Sequence, residues 1–190
     1  MKKLLLCVLA GAALAGAQEF KLGSPVSDFE VTSLKGEPVK YSALKGDTTV
    51  VIFVSTVCPI SNGYNDRMKA VYNDYRVKGV HFIFINANAT ESAADVEAHA
   101  KAHGFPFALY KDAAGAAADL FGAQVTPETF VIDRNGVLRY HGYVDDSVQE
   151  ARVHNQGLRQ ALDAVLAGKD VPMAHTKAFG CTIKRRRRAS

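Results

Sequence analysis

Residues 49–61 constrain this chain most. Val50-Val51-Ile52-Phe53-Val54 is an unbroken, largely β-branched apolar run, and such runs form strands buried on both faces inside a parallel or mixed sheet. It leads into Ser55-Thr56-Val57-Cys58-Pro59-Ile60-Ser61. Proline has a preset φ and no N–H to lose, so Pro59 suits the first turn of a helix. Strand, tight turn and helix together place Cys58 at a helix N-terminus. Unpaired N–H groups and the helix dipole stabilise a thiolate there, which lowers the thiol pKa and makes the sulfur a nucleophile. The alternative is a buried, inert cysteine. A strand end ahead of a proline-started helix favours chemistry over packing.

The chain has 190 residues, the length of one domain with a proper core. Its first 17 residues read as a secretory signal peptide: Lys2-Lys3, an apolar stretch over 4–14, then Ala15-Gly16-Ala17 as a cleavage signal. The apolar part is too short to cross a bilayer, so no transmembrane span is expected in the mature form. Cleavage near Ala17 predicts a periplasmic or secreted protein. Two cysteines then remain, Cys58 and Cys181. Such a pair in an oxidising compartment suggests a disulfide, permanent or transient. The formal charge is +4, of which the leader supplies +2 and residues 184–188 supply +5, leaving −3 on residues 18–183. This body has no basic face for nucleic acid. The run Lys184-Arg185-Arg186-Arg187-Arg188 opens a basic tail, 184–190, that reads as solvated and mobile, with anionic membrane or partner binding as the alternative.

Short strands are predicted over 28–31 and 39–41, and a helical turn over 42–46. From 59 to 78, Tyr64, Met68, Val71, Tyr72 and Tyr75 share one face of an amphipathic helix ended by Gly79. That stripe reads as core packed on a sheet. Residues 80–86 form the next strand, and strand-helix-strand argues for a parallel unit. An Ala-rich helix over 91–103, a strand edge over 107–110 and a short helix over 114–121 follow. Asn135-Gly136 between β-rich runs signals a hairpin, and a last helix covers 154–167. The expected class is α/β, a mixed central sheet flanked by helices.

That order, with a cysteine after the first long strand and Val125-Thr126-Pro127 just before a later one, resembles the thioredoxin fold. The resemblance implies a cis Thr126–Pro127 bond in a loop facing Cys58. By sequence alone a trans turn stays open, because only about 5–6% of X-Pro bonds are cis. Leu22-Gly23, Asp28-Phe29, Leu44-Lys45-Gly46 and Asp133-Arg134-Asn135-Gly136 match the redoxin branch, related to alkyl hydroperoxide reductase and thiol-specific antioxidant proteins. Gly180-Cys181-Thr182-Ile183-Lys184, Asp145-Asp146-Ser147 and Ala167-Gly168-Lys169 fit a peroxiredoxin-like subgroup with one Cys-Pro and a late cysteine.

The resemblance implies a thiol oxidoreductase acting on a peroxide or a disulfide, served by an external thiol reductant and needing no cofactor. Cys58 is then the nucleophile and Cys181 the candidate resolving thiol, with Ser55, Thr56, Pro59, Ser61, Thr126 and Pro127 in support. Two departures stand out. Ser61 occupies the place of a thioredoxin-type second cysteine. Val51 and Ser55 stand where a peroxidatic motif has proline and threonine, with Thr56 one place later. A sulfenic acid or mixed disulfide at Cys58 needs a second thiol, and Cys181 can supply it if the C-terminal segment folds back. A permanent staple between the same residues is the other outcome, and a non-catalytic binding protein its consequence. His99 and His103 have a metal-ligand spacing or simply share an exposed helix face. Arg139 and Arg152 lower the Cys58 pKa only if they lie close to it.

Overall fold

The computed structural model describes residues 19–186. Residues 1–17, read from the sequence as a signal peptide, and Arg187 and Arg188 of the basic run lie outside the described residues. In chain order the elements are β1 (Glu30–Ser33), β2 (Pro38–Lys40), α1 (Tyr41–Leu44), β3 (Thr48–Phe53), α2 (Pro59–Asn62), α3 (Asn65–Arg76), β4 (Val80–Asn86) and α4 (Ala93–Ala102). Then follow β5 (Leu109–Lys111), α5 (Ala116–Phe121), β6 (Val125–Thr126), β7 (Glu128–Ile132), β8 (Leu138–Gly142), a 3-10 turn (Glu150–Arg152), α6 (Gly157–Leu166) and β9 (Cys181–Thr182).

Seven strands form one mixed sheet in the order β2-β1-β5-β4-β3-β7-β8, and β6 and β9 make a separate small ladder. β3 runs parallel to β4 and antiparallel to β7, and β4 runs parallel to β5. As its composition demands, β3 is buried along its whole length. Its alternating side chains feed two cores. Val50 and Ile52 pack with Tyr64, Met68, Val71 and Leu158 on one face, and Val51 and Phe53 with Phe121 and Phe130 on the other. Each such side chain contributes about 1.5–3 kcal/mol on burial, so this strand fixes the frame. Among the described residues no helix is long and apolar enough to cross a membrane.

Four expectations are corrected. The helix over 59–78 divides into α2 and α3. At the break Tyr64 turns inward, its hydroxyl donating to Asp145 Oδ1 at 2.9 Å, while the Arg67 guanidinium lies 4.0 Å from its ring centre. The helix expected from 91 starts at Ala93, because Ser92 caps it in a reciprocal box with Asp95. That leaves Glu91 outside the helix. β5 is no sheet edge, since it lies between β1 and β4. Finally, the basic run begins as a docked segment. Lys184 N–H donates to Asn88 Oδ1 at 2.7 Å, and Arg185 pairs with Asp119 at 2.7 Å.

Candidate active site

The sheet register brings three chain segments to one end. Phe53 pairs with Ile85 on β4 and with Glu128 on β7, so residues 55–58, 86–91 and 126–128 emerge side by side. Cys58 caps α2 with extended backbone, Pro59 follows at the first helical position, and the Cys58 sulfur accepts the Ser61 N–H at 3.3 Å. The Thr126–Pro127 bond is cis, as the resemblance implied. Cys58 Sγ lies 3.5 Å from the Thr126 carbonyl oxygen. An oxidised sulfur has no proton to donate, so this is a close contact and not a hydrogen bond.

Cys58 is bonded to Cys181, with their Cα atoms 5.8 Å apart. The C-terminal segment therefore does fold back. β9 pairs antiparallel with β6, setting Cys181 opposite Thr126 and Thr182 opposite Val125. Ile183 donates its N–H to the Gln124 carbonyl at 2.9 Å and is 3% exposed. The residue before Cys181 has to be glycine, because a Cβ on Gly180 would overlap the Thr126 carbonyl oxygen. Sequence reading assigned no strand to either partner of this ladder.

A buried carboxylate organises the floor. Glu91, 4% exposed, accepts from Ser55 Oγ at 2.6 Å through Oε1. Its Oε2 accepts from Thr56 N–H and Thr56 Oγ at 2.6 Å each and from Asn86 Nδ2 at 2.8 Å. Burial pushes this carboxyl up, but the bonds from Ser55, Thr56 and Asn86 outweigh it and hold the group below its ordinary value. Ser55 Oγ in turn accepts the Cys58 N–H at 3.1 Å and the Val57 N–H at 3.3 Å. Ser61 Oγ accepts the Ser55 N–H at 3.1 Å. Behind Glu91, Lys111 Nζ donates to the side chain of Asn86 and to the carbonyls of Asn88 and Glu91 at 2.9 and 2.6 Å.

Ser55, Thr56, Pro59, Ser61, Thr126, Pro127 and Cys181 thus all meet around Cys58. No sequence signal marked Glu91, because an acid at an expected helix start looks like an ordinary capping residue, or Asn86 and Lys111, which are the polar last residues of β4 and β5. Glu128 was also missed: its Oε2 accepts the Gln124 and Val125 N–H groups at 2.7 and 3.0 Å and so shapes β6, while its Oε1 meets His141 Nε2. Arg139 is committed elsewhere, to Asp170 at 2.9 Å and Asp133 at 4.0 Å. Asp133 follows β7's last residue, Ile132, which pairs with Thr49 at the opposite end of β3 from the cysteine. His99 packs against His103 and Phe105 and meets Asn65 Nδ2 at 3.3 Å.

A mixed sheet, a helix-capping cysteine and a facing cis-proline loop define a thioredoxin-like protein with a cysteine pair. More narrowly, the chain belongs to the AhpC/TSA family, which matches residues 22–141, and it is a thiol-dependent oxidoreductase. It is similar to a hypothetical protein from Sinorhizobium meliloti 1021, at 32% identity and TM-score 0.80, over 89% of this chain and 97% of that one. It is also similar to the thiol-disulfide oxidoreductase ResA of Halalkalibacterium halodurans, 26% identical over 133 residues, 68% of this chain and 74% of that protein. A putative thiol:disulfide interchange protein DsbE from Chlorobium tepidum shares the fold, with TM-score 0.65 and 23% identity over 78% of this chain and 99% of that one.

Proposed function

We propose that this protein is an exported thiol–disulfide oxidoreductase that cycles its Cys58–Cys181 pair. The observation that carries the reading is the bond itself. It joins a helix-capping cysteine to one held by a two-residue strand. In the reduced protein the Cys58 thiolate attacks one sulfur of a substrate disulfide. The substrate S–S bond breaks, one substrate thiolate leaves, and a mixed disulfide forms on Cys58. Cys181, as thiolate, then attacks Cys58 Sγ, forms the bond seen here and expels the second substrate thiolate. An external thiol reductant supplies the two electrons that reopen it, and no cofactor takes part. Val57, 73% exposed beside Cys58, offers apolar contact to a protein substrate.

Exchange is favoured over peroxide reduction by the commitment of Ser55. Its proton goes to Glu91 and its lone pairs take the Cys58 and Val57 N–H groups. The hydroxyl three residues before the cysteine has no donor left for a bound peroxide. Export is supported by the composition of residues 1–17 and is checked by N-terminal sequencing of the mature protein. The main test is intact-mass measurement during titration with dithiothreitol and then with an oxidised-peptide substrate, beside Cys58→Ser and Cys181→Ser. Gain of two hydrogens on reduction at mild potential, and their loss on reoxidation by the peptide, is expected. A bond that resists reduction until the protein unfolds would overturn the proposal in favour of a permanent staple.

A further inference from the structure

We infer that Glu91 is a positioning residue: acting through Ser55, its carboxylate sets how readily Cys58 ionises and how strongly the cysteine pair oxidises. The inference rests on the exchange reading above and adds the residue that tunes it. A hydrogen-bonded chain crosses the end of the sheet, from Lys111 on β5 through Asn86 on β4 to Glu91, then through Ser55 to the Cys58 N–H. Two of its links, Lys111 to Asn86 and Glu91 to Ser55, join separate segments, so the cysteine loop is tied to the neighbouring strands through the Glu91 side chain.

Only a carboxylate fits the central place. Glu91 receives four donors and gives none, and an ionised carboxylate is the side chain that accepts with both oxygens. A glutamine turned to keep the three bonds at Oε2 would present its NH2 to Ser55 Oγ. That oxygen already takes two backbone N–H groups. Ser55 would lose the partner for its proton, and its hold on the Cys58 N–H would change with it. A Cys58 N–H freed from that oxygen leaves its positive end uncompensated beside the sulfur, which favours the thiolate, and loss of the Glu91 charge acts in the same direction. A negative group near a thiol disfavours the thiolate, so Glu91 opposes the helix N-terminus and keeps Cys58 from becoming an over-stabilised leaving group.

The other charged groups around Glu91 temper its field without replacing it. Lys111 is bonded to the Glu91 backbone carbonyl and to Asn86, and its ammonium interacts with the Glu91 charge without bonding to the carboxylate. Asp95 of α4 and Asp112 after β5 act on Lys111, and His99 of α4 feels the Glu91 charge.

The test uses the full mature chain. In the reduced Cys181→Ser protein, the Cys58 thiol pKa is read from the pH dependence of alkylation by iodoacetamide. In the two-cysteine protein, the exchange equilibrium with glutathione is read by intact mass. Glu91→Gln should lower the thiol pKa by about one unit and shift the equilibrium about tenfold toward the dithiol, about 30 mV. Ser55→Ala, which cuts the link and leaves the other three bonds of Glu91, should shift both in the same direction by less. It also decides the matter if Glu91→Gln does not fold. Asp95→Asn breaks the cap of α4 and should lower the melting temperature without moving either quantity. Unchanged or raised pKa values in the Glu91 and Ser55 variants overturn the inference. A wild-type pair that never exchanges overturns the proposed function instead, while the alkylation measurement still judges Glu91.

Discussion

The two ends of the Cys58–Cys181 bond are held in opposite ways. Cys58 follows a strand buried along its whole length and sits in a loop tied by Ser55, Thr56, Ser61 and Glu91. Cys181 lies on a two-residue strand and is half-buried. Its segment is kept in place by pairing with β6, by the Ile183 side chain and by the Lys184 contacts to Asn88 and Ala89. One sulfur sits in a loop tied by several side chains, and the other on a two-residue ladder near the end of the described residues. That asymmetry suits a resolving thiol, which has to move aside while a substrate occupies its place.

The comparison breaks most sharply at the cysteines. Cys58→Ser should abolish turnover. Cys181→Ser should instead stop after one equivalent, with a stable substrate adduct on Cys58 visible by mass; equal and complete inactivity of both variants would remove the distinction between the two ends. Next in size is Ile183→Ala. Truncating a buried isoleucine costs about 2–5 kcal/mol, and this cost should appear in urea unfolding of the oxidised protein. After reduction it should shrink, because the released segment no longer buries the side chain. An equal cost in both states would mean the segment never detaches.

Gly180→Ala should cost about 1–3 kcal/mol, the usual range for overpacking, since the new Cβ meets backbone at Thr126. Its disulfide should also be reduced faster by dithiothreitol than the wild-type bond. The smallest effect concerns the Cys58 loop. The folded Glu91 carboxyl binds its proton less readily than the unfolded one, whose usual value is 4.5. Its stabilisation is therefore fully present above that pH and fades as the pH falls through the lower folded value. The difference in melting temperature between wild type and Glu91→Gln should narrow in acid; a gap that widens there would show that Glu91 is held protonated.

Much of the frame was legible. The apolar run of β3, the proline opening α2, the aromatic stripe of α3 and the Asn135-Gly136 hairpin each carry a local signal, and each forms where expected. The division of the long helix was not legible. It serves the bond from Tyr64 to Asp145, 81 residues away, and no local preference encodes such a partner. The same holds for β6 and β9. Two residues are too few to show a period, and both strands exist only because each pairs with the other.

The amino-acid sequence determined, by itself, where a sheet-buried strand ends and where a cysteine begins a helix, because both follow from an unbroken apolar run and proline geometry within a dozen residues. Only the tertiary structure decided which distant groups close around that cysteine: Cys181 above it and Glu91 beneath it. The reason is physical. Hydrogen bonds and a disulfide are satisfied by position in space, and segments far apart in the chain become neighbours only after the core has fixed the register of the sheet.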